Sequence, residues 1–430
     1  MKIPSVDDIV SAYSRFVPHQ FFQLLGKESV TEVILGDGLE KKMTILFSDM
    51  RDFTALSESM TPRENFSFIN SYLERMEPAI SSYHGVIDKY IGDAIMVLFP
   101  TGADDALDGA LGMLNCLAGY NEERKTQGHP PVAIGIGLNT GLMMLGTIGG
   151  RNRMASTVIS DAVNLASRVE TMTKTYGVNL FITEHTYYSL KSAAKYSIRF
   201  ADRVRVKGKE QPQSVYEVFD ADPPEMRAAK FKTVRVFERG VAYYYFKEVS
   251  DALDLFRQCL DECPDDRLAR VYADRCEQFL STGIHEGTGE ADLTVQWGPN
   301  IEIGHTKIDE QHRELFARVN EFTDAIRKDR DFSHAGPIID FLDEYVQLHF
   351  KTEESIMEMN GYPFMDVQKA QHRLFFRHLT SLKREMQENT DWYFLLFKIQ
   401  LLVVDWLVHH TCKADRHLGK FLRLEKATDR

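Results

Sequence analysis

Two segments constrain this chain most: Phe47-Ser48-Asp49-Met50-Arg51-Asp52-Phe53-Thr54 and Asp88-Lys89-Tyr90-Ile91-Gly92-Asp93-Ala94-Ile95. Each reads as an apolar strand that ends by delivering a carboxylate, Asp49 or Asp93, with no basic residue directly beside it. Carboxylates on adjacent strands of a buried sheet repel one another unless a divalent cation lies between them. Lys89 stands four residues before Asp93. A two-metal carboxylate site with a lysine nearby suits chemistry on a nucleoside triphosphate.

The surrounding pattern predicts where those carboxylates sit. Residues 1–40 hold an amphipathic helix around Ile9 to Phe22 and a linker rich in Gly and charge. Across about 41–220, strands and helices alternate. The expected elements are strand Thr44–Asp49, helix Pro62–His84, a Gly85–Pro100 hairpin turning at Ile91-Gly92, and helix Ala103–Thr126. Strands Val132–Leu138 and Met143–Ile148, helix Asp161–Tyr176 and mainly strand to Phe219 follow. That βαββαβ order predicts an α+β, ferredoxin-like sheet with helices on one face.

Pro223-Pro224 marks a boundary, and residues 221–290 read as a helical connector. Ala252 to Phe256, followed by Pro264-Asp265-Asp266, resembles one tetratricopeptide-type hairpin, which cannot bury its own face alone. Gly283 to Glu290 is polar and Gly-rich, as a linker would be. Within residues 291–430, four amphipathic helices near 307–328, 336–359, 365–388 and 391–423 predict an all-α, up-down four-helix bundle.

The formal charge of −12 argues against non-specific nucleic-acid binding, which draws its affinity from Lys and Arg on phosphates. No apolar run reaches the length of a bilayer span. The most hydrophobic stretch, Trp392 to Val408, is broken by Lys398, Gln400 and Asp405. No signal peptide is recognisable at the N-terminus. Five cysteines without a CxxC pair read as buried thiols in helices, so a cytoplasmic, reduced protein is expected.

Thr157 to Arg168 (TVISDAVNLASR) adds the rest of the first site. Asp161 reads as an N-cap. Asn164 and Arg168 are four residues apart and share a helix face. An amide and a guanidinium so placed can orient a ribose and stabilise a phosphoryl group in its transition state. Exposed Asn/Arg pairs are common on surface helices, but the company of Asp49, Asp93 and Lys89 favours function.

On these residues the chain resembles the class III nucleotidyl cyclase family across about 41–220. FSDMRDFT is similar to its first metal segment, DKYIGDAIMVLF to its second, and TVISDAVNLASR to its catalytic helix. The resemblance implies that Asp49, Asp93 and the Met50 carbonyl bind two Mg²⁺ or Mn²⁺ ions. It implies that Lys89 and Thr157 read adenine, Asn164 positions the ribose, and Arg168 stabilises the pentavalent phosphorus. Lys207 would neutralise the terminal phosphates, with Lys209 close by, while the backbone N–H groups at Phe53-Thr54 cradle phosphate oxygens.

An ammonium at Lys89 donates to adenine N1, whereas guanine N1 carries a proton and needs an acceptor. The related guanylyl enzymes place Glu and Cys at these positions, so ATP is the expected substrate. The chain departs from the family with Asp52 and Ser160 at usual Gly positions and Ser156 at a common aromatic. Leu142 stands where some members have Arg, a role Arg151 or Arg153 could take. The family forms its sites between two cyclase domains. One such domain carrying both halves implies a C₂ homodimer.

Metal-type ligands also interrupt the apolar stripes of the C-terminal helices: His312; His349 with Glu353; His372 with Gln368; and His410 with Asp415. A lone His on such a stripe is usually a hydrogen-bonded core residue. Four of them with two carboxylates, converging from four helices, are costly to bury without a cation and suit non-haem iron. Residues 295–425 resemble hemerythrin through IDEQH, HFKTEE, Gly361-Tyr362-Pro363 with His372, and Trp406 to Asp415. The resemblance implies a di-iron centre with His312, His349, His372 and His410 as terminal ligands and Glu353 and Asp415 as bridges. Gln368 replaces a usual His, which leaves one iron open, water-bound or loosely held, or the site mononuclear or empty.

The combined expectation is an adenylate cyclase controlled by a C-terminal sensor of O₂, NO or redox state. The rivals are an oxygen- or iron-binding protein with a non-catalytic cyclase dimerisation domain, and a guanylate cyclase.

Overall fold

The computed structural model describes residues 19–150, 153–204, 212–283, 297–298, 301–329, 335–388, 391–402, 406 and 410–428. The chain divides into two compact units. The first comprises residues up to Val234 with Cys259–Val271, and the second Arg235–Gln258 with Tyr272 onward.

The first unit is built on strand β1 (Gly38–Met50), flanked by β3 (Ala94–Phe99) and β4 (Ile134–Gly150), both antiparallel to it. β2 (Val86–Ile91) pairs with β3 at one edge, and β5 (Arg153–Ile159) extends from β4 as a hairpin arm. Beyond β4 follow β6 (Leu180–Thr183), then β8 (Gln213–Val218) and β7 (Ile198–Val204). With helices Pro62–Ser81 and Ala103–Thr126 as crossovers, the order β2-β3-β1-β4 is the ferredoxin-like βαββαβ core.

Alternation along β1 sends its side chains to two faces. Phe99, opposite Thr44, lies against Gly109 of the Ala103–Thr126 helix on one face. On the other, Met43, Ile45, Met96, Leu98, Met143 and Leu145 pack with Ala162, Ala166, Phe21 and Phe22. Helix Asp161–Tyr176 therefore covers the face opposite the two crossover helices.

Local chemistry explains most boundaries. Thr61 starts the Pro62 helix with a capping box, its N–H donating to Glu64 Oε2 at 2.8 Å. Gly92, at φ +66°, turns the β2–β3 hairpin. Helix Pro62–Ser81 ends three residues earlier than expected, at a turn where His84 takes φ +59°.

The two strands expected between Val132 and Ile148 are one, β4. Its register with β1 runs unbroken from Ile134 to Gly146. Ser160, not Asp161, caps the next helix: its hydroxyl accepts from Ala162 N–H at 3.1 Å, and Asp161 becomes the first helical residue.

Helices Pro224–Tyr245, Val249–Glu262 and Arg267–Thr282 are divided between the units. In the second unit Phe237, Phe256 and Tyr272 form a ring cluster. Helices Thr306–Asp329, Ala335–Met359, Met365–Glu388 and Trp392–Gln400 make up the bundle.

The last helix was expected to run unbroken to 423, but Thr411–Asp415 is a π-helical turn before helix Arg416–Thr428. Five residues of α-helix would leave His410 and Asp415 roughly 140° apart. The wider turn brings them to one side. Among the described residues no helix is long and apolar enough to cross a membrane.

Candidate catalytic and metal sites

Asp49 ends β1 on the face covered by helix Asp161–Tyr176. Its cross-strand partner is Gly135, and Gly137 follows on the same face. A Cβ on Gly137 would stand 2.6 Å from the carbonyl of Ala166, so only glycine lets the helix lie this close to the strand.

Asp93 follows the β2–β3 turn and accepts from the Met50 N–H at 3.3 Å. The Asp49 carboxyl is pushed up to about 6, first by burial, then by the charge of Asp93 and a hydrogen bond with it. The Met50 amide and Lys174 oppose this only partly. Two carboxylates this close disfavour joint ionisation, and a divalent cation between them would relieve that, so the residues present fit Mg²⁺ or Mn²⁺.

A third carboxyl group, Glu170, is pushed up to about 7 by burial and then by Asp49. Sequence reasoning missed it, because its proximity arises only when the helix crosses the sheet. Asp52 takes a left-handed conformation, φ +53°, where the family has Gly, and pairs with Lys174 at 2.7 Å.

On the hairpin arms, Lys89 and Thr157 meet: Lys89 Nζ donates to Thr157 Oγ1 at 3.2 Å. Asn164 and Arg168 lie exposed one turn apart on the helix that Ser160 caps. The start of that helix is fixed from below. The buried Asn139 amide donates to the Ala162 carbonyl at 2.9 Å, and Ser160 Oγ donates to Leu142 O at 2.8 Å. Ser160 thus makes two bonds that glycine could not. Phe53 and Thr54 open a short helix whose N-cap, Asp52, makes no side-chain cap bond. Lys207, Lys209 and Arg151 lie outside the described residues.

In the bundle, His312, His349, Glu353, His372, His410 and Asp415 are all buried and converge. His312 Nε2 and His349 Nε2 lie 3.1 Å apart, as do His372 Nε2 and His410 Nε2. The two carboxylates connect these pairs. Glu353 Oε1 is 3.3 Å from His349 and its Oε2 is 3.3 Å from His372. Asp415 Oδ2 is 3.3 Å from His312 and its Oδ1 is 3.1 Å from His410.

Two clusters of imidazole nitrogen therefore face opposite oxygens of the same carboxylates, the donor set of a pair of bridged cations. Both Glu353 oxygens and Asp415 Oδ2 lack a hydrogen-bond partner although buried. Leaving such groups unpaired is costly, and iron would satisfy them. Gln368, at 2% exposure, points into this centre: its Nε2 donates to Asp415 Oδ1 at 2.6 Å.

The outer Nδ1 atoms are held as well. His349 faces Gln311 Oε1 at 3.2 Å, His372 faces Glu354 Oε1 at 2.8 Å, and His410 faces Gln371 Oε1 at 2.9 Å. Such partners fix ring orientation and tautomer. Sequence reasoning passed over them, although the repeated Gln-His pairs 311–312 and 371–372 were a visible signal. Phe350 stacks on His372 at 3.8 Å and Trp406 on His410 at 4.7 Å, walling that side with aromatic carbon.

Comparison with known proteins follows the same division. The adenylate and guanylate cyclase catalytic domain family matches residues 38–218, and the hemerythrin HHE cation binding domain family matches 304–422. The chain is 36% identical over 293 residues to the terminal-differentiation-specific adenylate cyclase of Dictyostelium discoideum, covering 66% of this chain and 14% of that protein. It is 44% identical over 215 residues to an adenylate cyclase of Anabaena cylindrica, covering 49% of this chain and 43% of that protein. The chain thus spans less than half the length of either curated relative. Among solved structures, the adenylyl cyclase CyaB from P. aeruginosa is 32% identical, with 43% of this chain and 96% of that chain covered and a TM-score of 0.39. The guanylyl cyclase Cya2 is also 32% identical, with coverage of 44% and 96% and a TM-score of 0.38.

Proposed function

The chain belongs to the adenylate and guanylate cyclase catalytic domain family over residues 38–218 and to the hemerythrin HHE family over 304–422, and on that footing we propose that it is an adenylate cyclase governed by its iron site. The reaction is conversion of ATP to 3′,5′-cyclic AMP and pyrophosphate. The observation that carries the choice of base is the Lys89–Thr157 pair, 3.2 Å apart on the two hairpin arms. The ammonium donates to adenine N1, and the Thr157 oxygen has a lone pair left for the exocyclic amino group. Guanine presents the reverse pattern on that edge, an N1–H donor and an O6 acceptor.

Asp49, Asp93 and the Met50 carbonyl would hold two Mg²⁺ or Mn²⁺ ions. When bound, these ions activate the ribose 3′-hydroxyl and neutralise the leaving pyrophosphate. Asn164 orients the ribose, and Arg168 balances charge that grows on the α-phosphoryl oxygens. Lys207 would neutralise the terminal phosphates, and the uncapped N–H groups at Phe53 and Thr54 would receive phosphate oxygens. One protomer's aspartates serve a nucleotide whose base is read by its partner, so the active form is a C₂ homodimer. ATP as substrate and free thiols suit a cytoplasmic enzyme, although among the described residues only Cys259, Cys263 and Cys276 are buried as expected and Cys116 is exposed.

His312, His349, His372 and His410, with Glu353 and Asp415, would hold a di-iron centre, which supplies a binding position for O₂ or NO. Regulation requires that the ligand distinguish two dimer arrangements. Within the second unit, Arg239 pairs with Asp391 at 2.5 Å and Glu248 Oε1 accepts from Tyr393 OH at 3.2 Å. Asp391 caps helix Trp392–Gln400, so the connector grips the first turn of the helix that precedes His410 in the chain. Turnover of ATP against GTP, with Asp93→Ala as control, tests the catalytic reading.

A further inference from the structure

The β2–β3 ladder carries an irregularity beside the Lys89–Thr157 pair. Ile87 stands opposite Val97 and Lys89 opposite Met96, so Asp88 is an extra residue with no partner. That is a β-bulge, a device that re-aims a side chain. Here the bulge turns the Asp88 carboxylate inward: the side chain is 0% exposed, while that of Lys89 remains 41% exposed.

Neither Asp88 oxygen receives a hydrogen bond of good geometry among the described residues. The cation against it is Lys89, whose Nζ lies 3.1 Å from Asp88 Oδ2. An anion retained for structure alone would ordinarily accept backbone N–H groups, because burying an unbonded carboxylate is costly. Among the described residues this one faces the Lys89 ammonium.

We propose that Asp88 is a positioning and specificity residue: it fixes the Lys89 ammonium for recognition of an adenine ring. This rests on the reading of Lys89 as the base-reading donor. A lysine ammonium has three N–H bonds. Here the ammonium is held by its charge against Asp88 Oδ2 at 3.1 Å and donates to Thr157 Oγ1 at 3.2 Å, which leaves N–H for a ring nitrogen that accepts. A free lysine side chain samples many rotamers, and holding it in one removes that ordering cost from nucleotide binding. The fixed donor also opposes the N1–H of guanine, which a mobile lysine could swing away from. Selectivity therefore depends on the buried carboxylate as well as on the ammonium that touches the base.

A double-mutant cycle on the full chain tests this, with kcat and KM measured separately for ATP and GTP and with thermal melts of each variant. Asp88→Asn keeps the shape and removes the charge. It should lower the ATP-to-GTP ratio of kcat/KM about tenfold, the scale of one hydrogen bond to a charged group, chiefly through KM for ATP. In a Lys89→Met background the same substitution should change the ratio no further. Asp88→Ser serves as a second probe if the amide perturbs folding.

An unchanged ratio in Asp88→Asn or Asp88→Ser, with Lys89→Met lowering it, overturns the role of Asp88 and leaves the base-reading role of Lys89 standing. A further fall in the Lys89→Met background shows that Asp88 acts through the fold and also overturns it. If Lys89→Met itself leaves the ratio unchanged, the reading of Lys89 fails, and the proposal with it.

Discussion

Gln368 donates its amide to Asp415 at 2.6 Å, at the one position where the hemerythrin pattern has a further histidine. Gln368 sits on helix Met365–Glu388 and Asp415 at the end of the π-helical turn, so their contact crosses the bundle. The glutamine thus steadies a carboxylate that would bridge the two irons. Gln368→Leu, which removes that donor, should lower iron affinity about tenfold, in line with losses of outer hydrogen bonds at metal sites. Gln368→His should bind iron at least as well as wild type. Iron retained against a graded chelator measures both, and equal retention in Gln368→Leu and wild type would contradict the assignment.

Iron removal should destabilise the second unit. Glu353 and Asp415 are held below the usual carboxylate range: burial pushes them up, but the surrounding histidines pull them further down. Without a cation the bundle depends on buried imidazole to balance them. Chelation should lower the melting temperature of this unit by several degrees, and re-addition of iron should restore it in a concentration-dependent way. A melting curve indifferent to iron would count against a metal site.

In the first unit, Arg199 is fully buried, with both Asp266 oxygens at 2.7 Å and Glu217 Oε2 at 2.6 Å. Burial pushes the Asp266 carboxyl up, but Arg199 outweighs it and holds the group below its ordinary 3.8. A carboxyl lowered by folding stabilises above its unfolded pKa, and that contribution is lost as pH falls through the folded one. Asp266→Asn should therefore cost about 2–3 kcal/mol at neutral pH, because the guanidinium keeps Glu217 but loses its charged bonds to Asp266, and should flatten the acid limb below about pH 4. Urea titrations of the full chain at pH 7 and pH 3.5 check both parts. A loss under about 1 kcal/mol would show that the ion pair is dispensable.

Coupling should run through the connector. Arg239→Ala removes the ion pair to Asp391, so iron content should be kept while the change in cyclase activity between reduced and air-oxidised protein shrinks severalfold. Activity that never differs between those states would remove the sensing role altogether.

Much of this was legible in the residues. Helices Ala103–Thr126 and Asp161–Tyr176 lie where their periodicity placed them, and the spacing along the apolar stripes pointed the four histidines and Glu353 to one interior. What escaped depends on neighbours that sequence spacing does not reveal. The strands expected to stop at Leu138 and restart at Met143 are continuous through Gly141, where an added Cβ would stand 3.0 Å from that of Ala162. The bulge at Asp88 exists only relative to its partner strand. The π-helical turn that ends at Asp415 shows only in three dimensions, where it sets that carboxyl 3.1 Å from His410.

Turnover by the purified chain bears most directly on the central claim. With Mn²⁺ or Mg²⁺ it should convert ATP to cyclic AMP in preference to GTP, and Asp93→Ala should abolish that activity, a loss of at least ~100-fold. Unchanged turnover in Asp93→Ala, or a preference for GTP, would contradict the account.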